Sequence, residues 1–158
     1  MRGAGLMRRS HFMHRLGSAI AALALCLCGS ASAEVVAVVS AKAPLAPLSR
    51  NQVVDIFLGK ASRYPDGTLA VPIDLAEGST ARDEFYSHLA GKSPAQVTAH
   101  WSRMIFTGRG QPPREVATGA ELKRRLAATP GAIGYLDRSE LDATVQVVAM
   151  RELPLGAK

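Results

Sequence analysis

A short segment near the middle of the chain has residue types and spacing suited to binding a small anion. An apolar run at 70–75 is followed by Gly78, Ser79, Thr80 and Arg82, and then by an apolar pattern with helical spacing. When a strand turns through a glycine into a helix, the first helical turn presents free backbone N–H groups. Those groups and the positive end of the helix dipole attract anions. The segment therefore predicts an anion site with hydroxyl donors from Ser79 and Thr80 and a positive charge from Arg82.

Each of these side chains also has a purely structural role open to it. Ser79 or Thr80 can act as the N-cap of the following helix, which is worth about 1 kcal/mol, with or without an anion contact. Arg82 can bind an oxyanion through two parallel hydrogen bonds. It can equally pair on the surface with Glu77 or Asp83, where an ion pair contributes little. The residue types alone leave these alternatives open.

Two other positions are candidates for contact with the same ligand. Arg109 lies between two glycines, so its backbone can move and approach a ligand closely. As an arginine of an exposed loop it has no need of a functional explanation. Ser40 ends an apolar strand pattern, and open α/β sheets bind ligands beyond the carboxyl ends of their strands. We therefore include both Arg109 and Ser40 in the predicted site.

Other classes of function find little support in the sequence. His88 and His100 are isolated and lack the spacing of metal ligands, so neither a metal nor another cofactor is predicted. No nucleophile with a neighbouring base stands out, which favours a protein that is not an enzyme. The basic residues are not interleaved with aromatic ones, so a nucleic-acid partner is not expected.

The first 33 residues have the organisation of a cleavable signal peptide. A basic start, with Arg2, Arg8, Arg9 and Arg15, precedes an apolar run at 20–28 and a small-residue site at 31–33. The run is shorter than the roughly 20 residues of a spanning helix, so no membrane insertion is expected after cleavage. These features predict export to the periplasm.

The predicted signal peptide also accounts for two compositional features of the chain. Its four arginines contribute most of the formal charge of +6, so the basic balance indicates little about partners. Both cysteines, Cys26 and Cys28, lie within its apolar run. The rest of the chain therefore has no disulfide or thiolate metal site open to it.

The segments after residue 33 predict a single α/β domain at 34–153, followed by a flexible tail at 154–158. Apolar runs indicate strands at 34–40, 70–75, 132–136 and 144–150, and capping and periodicity indicate helices that start near 49, 79 or 80, 94 and 119. This order predicts a mixed, mainly parallel sheet of about four strands with four helices. The β-branched first strand fits a buried strand of parallel type. Residues 107–116 are expected to form a loop, and the last strand to be antiparallel because 137–142 is short for a crossover.

Four segments of the chain resemble the phosphate-binding periplasmic proteins of ABC importers. They lie at 36–39, 48–60, 77–85 and 130–135, and their order and approximate spacing match as well. The Ile-Phe-Leu-Gly-Lys run at 56–60 and the Pro-Gly-Ala-Ile-Gly-Tyr run at 130–135 are the most specific. The resemblance implies one lobe of a type 2 periplasmic binding protein, without the first lobe that normally supplies about half of the ligand-binding groups.

The resemblance also implies roles for particular residues. Ser79 falls on the ligand serine of the family and Arg82 on an arginine that often follows it. Thr80 stands where the family has a second glycine, and Ala81 where it has a ligand threonine. Some members have an arginine where this chain has Leu75. One hydroxyl and one cation of the usual set are thus replaced.

These observations lead to two functional hypotheses. The first is an exported solute-binding module for phosphate or a similar small oxyanion, associated with ABC-type uptake through a membrane permease complex or with phosphate sensing. The second is an interaction module outside transport, in which the lobe serves as a scaffold that binds a protein partner or forms a homodimer. A contiguous apolar surface would favour the second hypothesis.

Overall fold

The computed structural model of the chain describes residues 34–44, 47–148 and 150–151. The predicted signal peptide at 1–33 and the predicted tail at 154–158 lie outside these residues. Within the described part, no helix has the length and apolar character needed to cross a bilayer.

Seven strands and four α-helices are found within the described ranges. The strands are β1 (Val35–Ser40), β2 (Leu48–Ser49), β3 (Val71–Leu75), β4 (Arg114–Val116), β5 (Ala132–Asp137), β6 (Val145–Val147) and β7 (Met150–Arg151). The helices are α1 (Arg50–Phe57), α2 (Thr80–Phe85), α3 (Pro94–Phe106) and α4 (Gly119–Ala128). A π-helical turn, Tyr86–Ala90, continues α2, and a 3-10 turn, Arg138–Glu140, follows β5.

Five of the strands form one mixed sheet in the order β4-β3-β5-β1-β6. Strand β3 pairs in parallel with β4 and β5, whereas β1 pairs antiparallel with β5 and β6. Four strands therefore run in one direction and β1 runs against them. The predicted α/β class and the mixed, mainly parallel sheet are confirmed. Strands β2 and β7 form a separate parallel pair.

The direction of the first strand differs from the prediction. Residues 36–39 are buried, as the β-branched run indicates, but the strand is antiparallel to both neighbours rather than parallel. A continuous apolar run indicates that both faces of the strand are buried. It does not indicate the direction of the strand relative to its neighbours. Strand β6 is antiparallel to its partner β1, yet it runs in the same direction as β5. The short connection after β5 thus joins two strands of one direction, with β1 between them.

Strand β4 is a second difference from the prediction, since Arg114–Val116 lies in the segment expected to be loop. Only its last residue is buried, so the three residues show no apolar alternation. The strand exists because its backbone pairs with β3, with Asp74 opposite Glu115. It widens the sheet at the edge where β3 leads to Gly78.

The four helix starts follow the predicted capping residues, and Thr118 caps α4 as expected. Ser49 before α1 and Ser93 before α3 each form a capping box with the glutamine three residues later. Helix α2 begins at Thr80 with Ser79 as its N-cap. Of the two predicted capping residues, Ser79 rather than Thr80 is therefore the one used.

The core includes a group of aromatic rings between the sheet and helices α1 and α2. Tyr135 of β5 stacks on Phe85 of α2, with ring centroids 4.0 Å apart, and Phe57 of α1 contacts both rings. Gly134 lies on the opposite face of β5, because side chains alternate along a strand. A Cβ atom at Gly134 would lie 2.7 Å from a methyl carbon of Leu122, so α4 packs closely on that face. Helices thus cover both faces of β5.

Candidate functional site

The junction between β3 and α2 has the local geometry that the sequence predicts. Gly78 has a φ of +84°, a conformation that glycine adopts without strain. The Ser79 hydroxyl oxygen accepts a hydrogen bond of 3.2 Å from the backbone N–H of Arg82. Within the described residues, the backbone N–H groups of Thr80 and Ala81 have no protein acceptor. The junction therefore offers two free backbone donors beside the Ser79 hydroxyl, whose proton remains available.

Arg82 is buried and held by two carboxylates. Its Nε atom lies 3.3 Å from Oδ2 of Asp74, and its Nη2 atom lies 3.3 Å from Oε1 of Glu115. The surface ion pair predicted for Arg82 was with Glu77 or Asp83, so the predicted partners are wrong. The partners differ because the side chains of α2 point toward the N-terminus of the helix, where β3 and β4 lie. Arg82 thus reaches the sheet instead of running along the helix surface.

Asp74 is the centre of this cluster and is not among the site residues predicted from the sequence. Its side chain is 1% exposed, and it accepts hydrogen bonds from the hydroxyls of Tyr86, at 2.8 Å, and of Tyr135. The backbone N–H of Leu75 donates to the same carboxylate at 3.0 Å. A buried charge is tolerated only when it is paired and hydrogen-bonded, and Asp74 meets both conditions. An aspartate inside an apolar strand is the signal from which its role could have been predicted.

The charges in the cluster shift the pKa values of its members. Burial and the negative charge of Asp74 raise the pKa of Tyr86 and of Tyr135, so both hydroxyls remain protonated donors. Burial alone would lower the pKa of Arg82, but Asp74 and Glu115 outweigh it and raise that pKa. All three donors are therefore fixed in the form that stabilises the Asp74 carboxylate.

The charge balance around the junction is not positive. One guanidinium faces two carboxylates, Asp74 and Glu115, so these three groups sum to a net negative charge. Glu77, next to Gly78, accepts a hydrogen bond from Thr98 of α3 at 3.2 Å and adds another carboxylate. An anion at the junction would rely on backbone N–H groups and hydroxyls more than on Arg82.

Ser40 lies at the opposite end of the strands from Gly78. Because β1 runs against β3, its carboxyl end meets the amino ends of β3 and β5, away from Gly78. The Ser40 hydroxyl oxygen accepts from the backbone N–H of Lys42, and the residue borders a cavity of about 510 Å³ that Leu126 and Gly131 also line. The rule about carboxyl ends of strands fails here because it applies to strands of one direction.

Arg109 is also separated from the junction. It follows the C-terminus of α3, where Gly108 has a φ of +65° and the Arg109 backbone N–H donates to Met104 at 2.9 Å. The contact between α3 and the junction is made by Thr98, about 12 Å of helix before Phe106. The structure therefore groups Gly78, Ser79, Thr80 and Arg82, and leaves Ser40 and Arg109 apart.

No group of three metal-binding side chains occurs within the ranges that the structure describes. The carboxylates of the cluster are engaged by Arg82 and two tyrosines rather than directed at an open position.

The fold is similar to part of several larger solved proteins. A protein of Clostridium perfringens assigned as a phosphate ABC transporter substrate-binding protein, crystallised with bound phosphate, matches with a TM-score of 0.56 and 20% identity over 72% of this chain and 43% of its own. An ABC-type phosphate transport receptor from Vibrio cholerae matches with a TM-score of 0.56 and 16% identity over 72% and 44%. PstS from Borrelia burgdorferi matches with a TM-score of 0.55 and 12% identity over 73% and 46%.

These matches confirm the predicted resemblance in fold. The chain spans less than half of the length of the solved proteins that it matches. At 12–20% identity the likeness concerns the fold and does not transfer a ligand. No protein-family model matches the sequence, and no curated protein gives a significant match.

Proposed function

We propose that this chain is an exported, non-enzymatic binding module for phosphate or a similar small oxyanion. The observation that carries the proposal is the fold, which is similar to that of a substrate-binding protein with bound phosphate and of a phosphate transport receptor. The junction of β3 and α2 supports it independently, because its local chemistry suits an oxyanion. The ligand and the export both remain part of the proposal.

In this proposal the anion lies at the N-terminus of α2. The backbone N–H groups of Thr80 and Ala81 donate to it, and Gly78 allows the main chain to come close because it has no side chain. The Ser79 hydroxyl accepts from Arg82 within the helix, so its proton is free to point at the anion. Thr80 is exposed and can donate from the other side.

The charges of the site predict weak binding. Asp74 and Glu115 already counter the guanidinium of Arg82, so little net attraction is left for an anion. The aligned part of this chain covers 43% of the matched Clostridium perfringens protein, so in this proposal the chain supplies one wall of a site. We expect dissociation constants in roughly the millimolar range, which corresponds to about 4 kcal/mol of binding free energy.

The proposal is tested by titrating the purified protein with phosphate in a calorimeter, beside sulfate and nitrate at equal ionic strength. Saturable heat with phosphate supports an oxyanion module, and the order of the three anions identifies its preferred charge and shape. Heat that is absent up to tens of millimolar, or that scales only with ionic strength, excludes it.

A role in ABC-type uptake with a membrane permease complex, or in phosphate sensing, is a further part of the proposal. It predicts that cells lacking the gene take up radiolabelled phosphate more slowly when phosphate is scarce. Normal uptake together with altered expression of phosphate-responsive genes would favour sensing over transport.

An interaction module is the second candidate function, and one surface feature favours it. Ile105 and Phe106, at the end of α3, are 48% and 93% exposed, and large adjacent apolar side chains are typical of contact surfaces. Sedimentation of the protein at increasing concentration tests for a homodimer. A dimer that Phe106→Ser dissociates supports this function, whereas a monomer at all concentrations argues against self-association.

A further inference from the structure

We propose that Glu115 is an internal competitor for the anion site, occupying the part of Arg82 that an oxyanion would bind. The inference rests on the proposed function and adds a residue that controls its affinity. It predicts that the anion and the Glu115 carboxylate bind the guanidinium in mutually exclusive ways.

The positions of the two carboxylates follow from the pairing of β3 and β4. Asp74 and Glu115 are opposite each other in the register, so both side chains point to the same face of the sheet. Arg82 descends from α2 onto that face and lies between them. A guanidinium held on two sides by carboxylates already has the contacts that an oxyanion would provide.

The two carboxylates differ in how firmly they are held. Asp74 is 1% exposed and has three donors besides Arg82, which are Tyr86, Tyr135 and the backbone of Leu75. The side chain of Glu115 is 45% exposed, and Arg82 is its one ion-pair partner among the described residues. Half-exposed pairs contribute little because water and salt screen them. Glu115 can therefore leave while Asp74 stays.

The donors of Arg82 indicate where an anion would bind. A guanidinium has five N–H donors, and Asp74 uses the one at Nε. The Nη atoms form the fork that binds an oxyanion bidentately, and Glu115 approaches this fork at Nη2. In this proposal an oxyanion uses the fork after Glu115 has moved away, because two anionic groups would otherwise share Nη2. The cost of that displacement lowers the affinity of the native site.

The test compares phosphate titrations of the native protein, Glu115→Gln and Asp55→Asn. Glutamine keeps the shape of Glu115 and removes its charge. Asp55 makes a surface pair with Lys60 and its side chain is 44% exposed, so Asp55→Asn makes the same charge change at a matched site on α1. We expect Glu115→Gln to raise the phosphate affinity by up to about fivefold and Asp55→Asn to leave it within about twofold.

A double variant, Glu115→Gln with Arg82→Lys, shows whether the gain passes through the guanidinium. Lysine keeps the charge and loses the fork, so the gain in affinity should disappear. Equal affinities of Glu115→Gln and Asp55→Asn overturn the inference, and binding by the native protein then leaves the proposed function standing. If no variant binds phosphate, both are wrong. If Glu115→Gln binds phosphate and neither the native protein nor Asp55→Asn does, Glu115 blocks the site completely, which also supports the inference.

Discussion

Arg82 of α2 and Asp74 of β3 form a buried ion pair at the edge of the sheet where the predicted anion loop begins. The Nε and Oδ2 atoms are 3.3 Å apart, and the side chains are 10% and 1% exposed. Two tyrosine hydroxyls complete the shell of Asp74. The pair ties the first turn of α2 to β3, so it fixes the orientation of Ser79 and Thr80. Arg82 therefore has a structural role whether or not an anion binds.

Replacing Asp74 by alanine should strongly destabilise the protein. The change leaves the buried Arg82 charge without its main partner, which typically costs about 3–5 kcal/mol of unfolding free energy. Urea unfolding measures this cost. The matched surface variant Asp55→Ala should lose less than about 1 kcal/mol. A loss for Asp74→Ala no larger than that of the control would show that the pair is not a stabilising centre.

Raising the pH should destabilise the fold through its tyrosines. The pKa values of Tyr86 and Tyr135 are raised in the folded state, so their contribution is complete below the unfolded value of about 10 and is lost as the pH rises above it. Urea unfolding from about pH 8 to pH 11 should show this decline. Tyr135→Phe should flatten the slope, although Tyr64, whose pKa burial raises to about 12, keeps part of it. Identical slopes in the two proteins would contradict the assignment.

Ser79→Ala separates the capping role from the binding role when it is compared with Ser93→Ala. Both serines cap a helix through the same contact to the N–H three residues on, at 3.2 Å and 3.3 Å. Each variant should lose about 1 kcal/mol of unfolding free energy. Only Ser79→Ala should weaken phosphate binding, by several-fold in a calorimetric titration. Equal affinities of the two variants would leave Ser79 with a capping role alone.

Gly131 should tolerate a side chain far less well than Gly67. Both have positive φ, at +75° and +87°, so alanine is strained at either by about 1–2 kcal/mol. At Gly131 a Cβ atom would also lie 2.1 Å from the carbonyl oxygen of Leu69, whereas nothing lies within 4 Å at Gly67. Thermal unfolding should place Gly131→Ala well below Gly67→Ala. Similar midpoints would mean that β5 can shift away from Leu69.

The parts of the fold that the sequence predicts well are those specified by local chemistry. Capping-box patterns at Ser49 and Ser93 predict the starts of two helices, and both capping boxes form. The apolar runs locate β1, β3 and β5 because a buried strand must be apolar. The direction of β1 and the existence of β4 depend on distant backbone pairing, which no local pattern encodes. These two features were predicted wrongly for that reason.

The candidate site was predictable to the extent that it is contiguous in sequence. Gly78, Ser79 and Thr80 lie where the strand, turn and helix pattern indicates. Ser40 was included through a rule that depends on strand direction, so the error in β1 carried over to it. Asp74 and Glu115 are 41 residues apart in the numbering of the chain and meet only through the pairing of β3 with β4. Their ion pairs with Arg82 could therefore not be predicted from the sequence at 78–82.

Backbone amide NMR tests most directly whether a small oxyanion binds at the start of α2. Phosphate should shift the amide signals of Gly78, Ser79, Thr80 and Ala81 in a saturable way at millimolar concentrations. Amides near Ser40 and Arg109 should stay unchanged, because the structure places them elsewhere. Saturable shifts confined to other parts of the chain, or no shifts at these four amides, would contradict the claim.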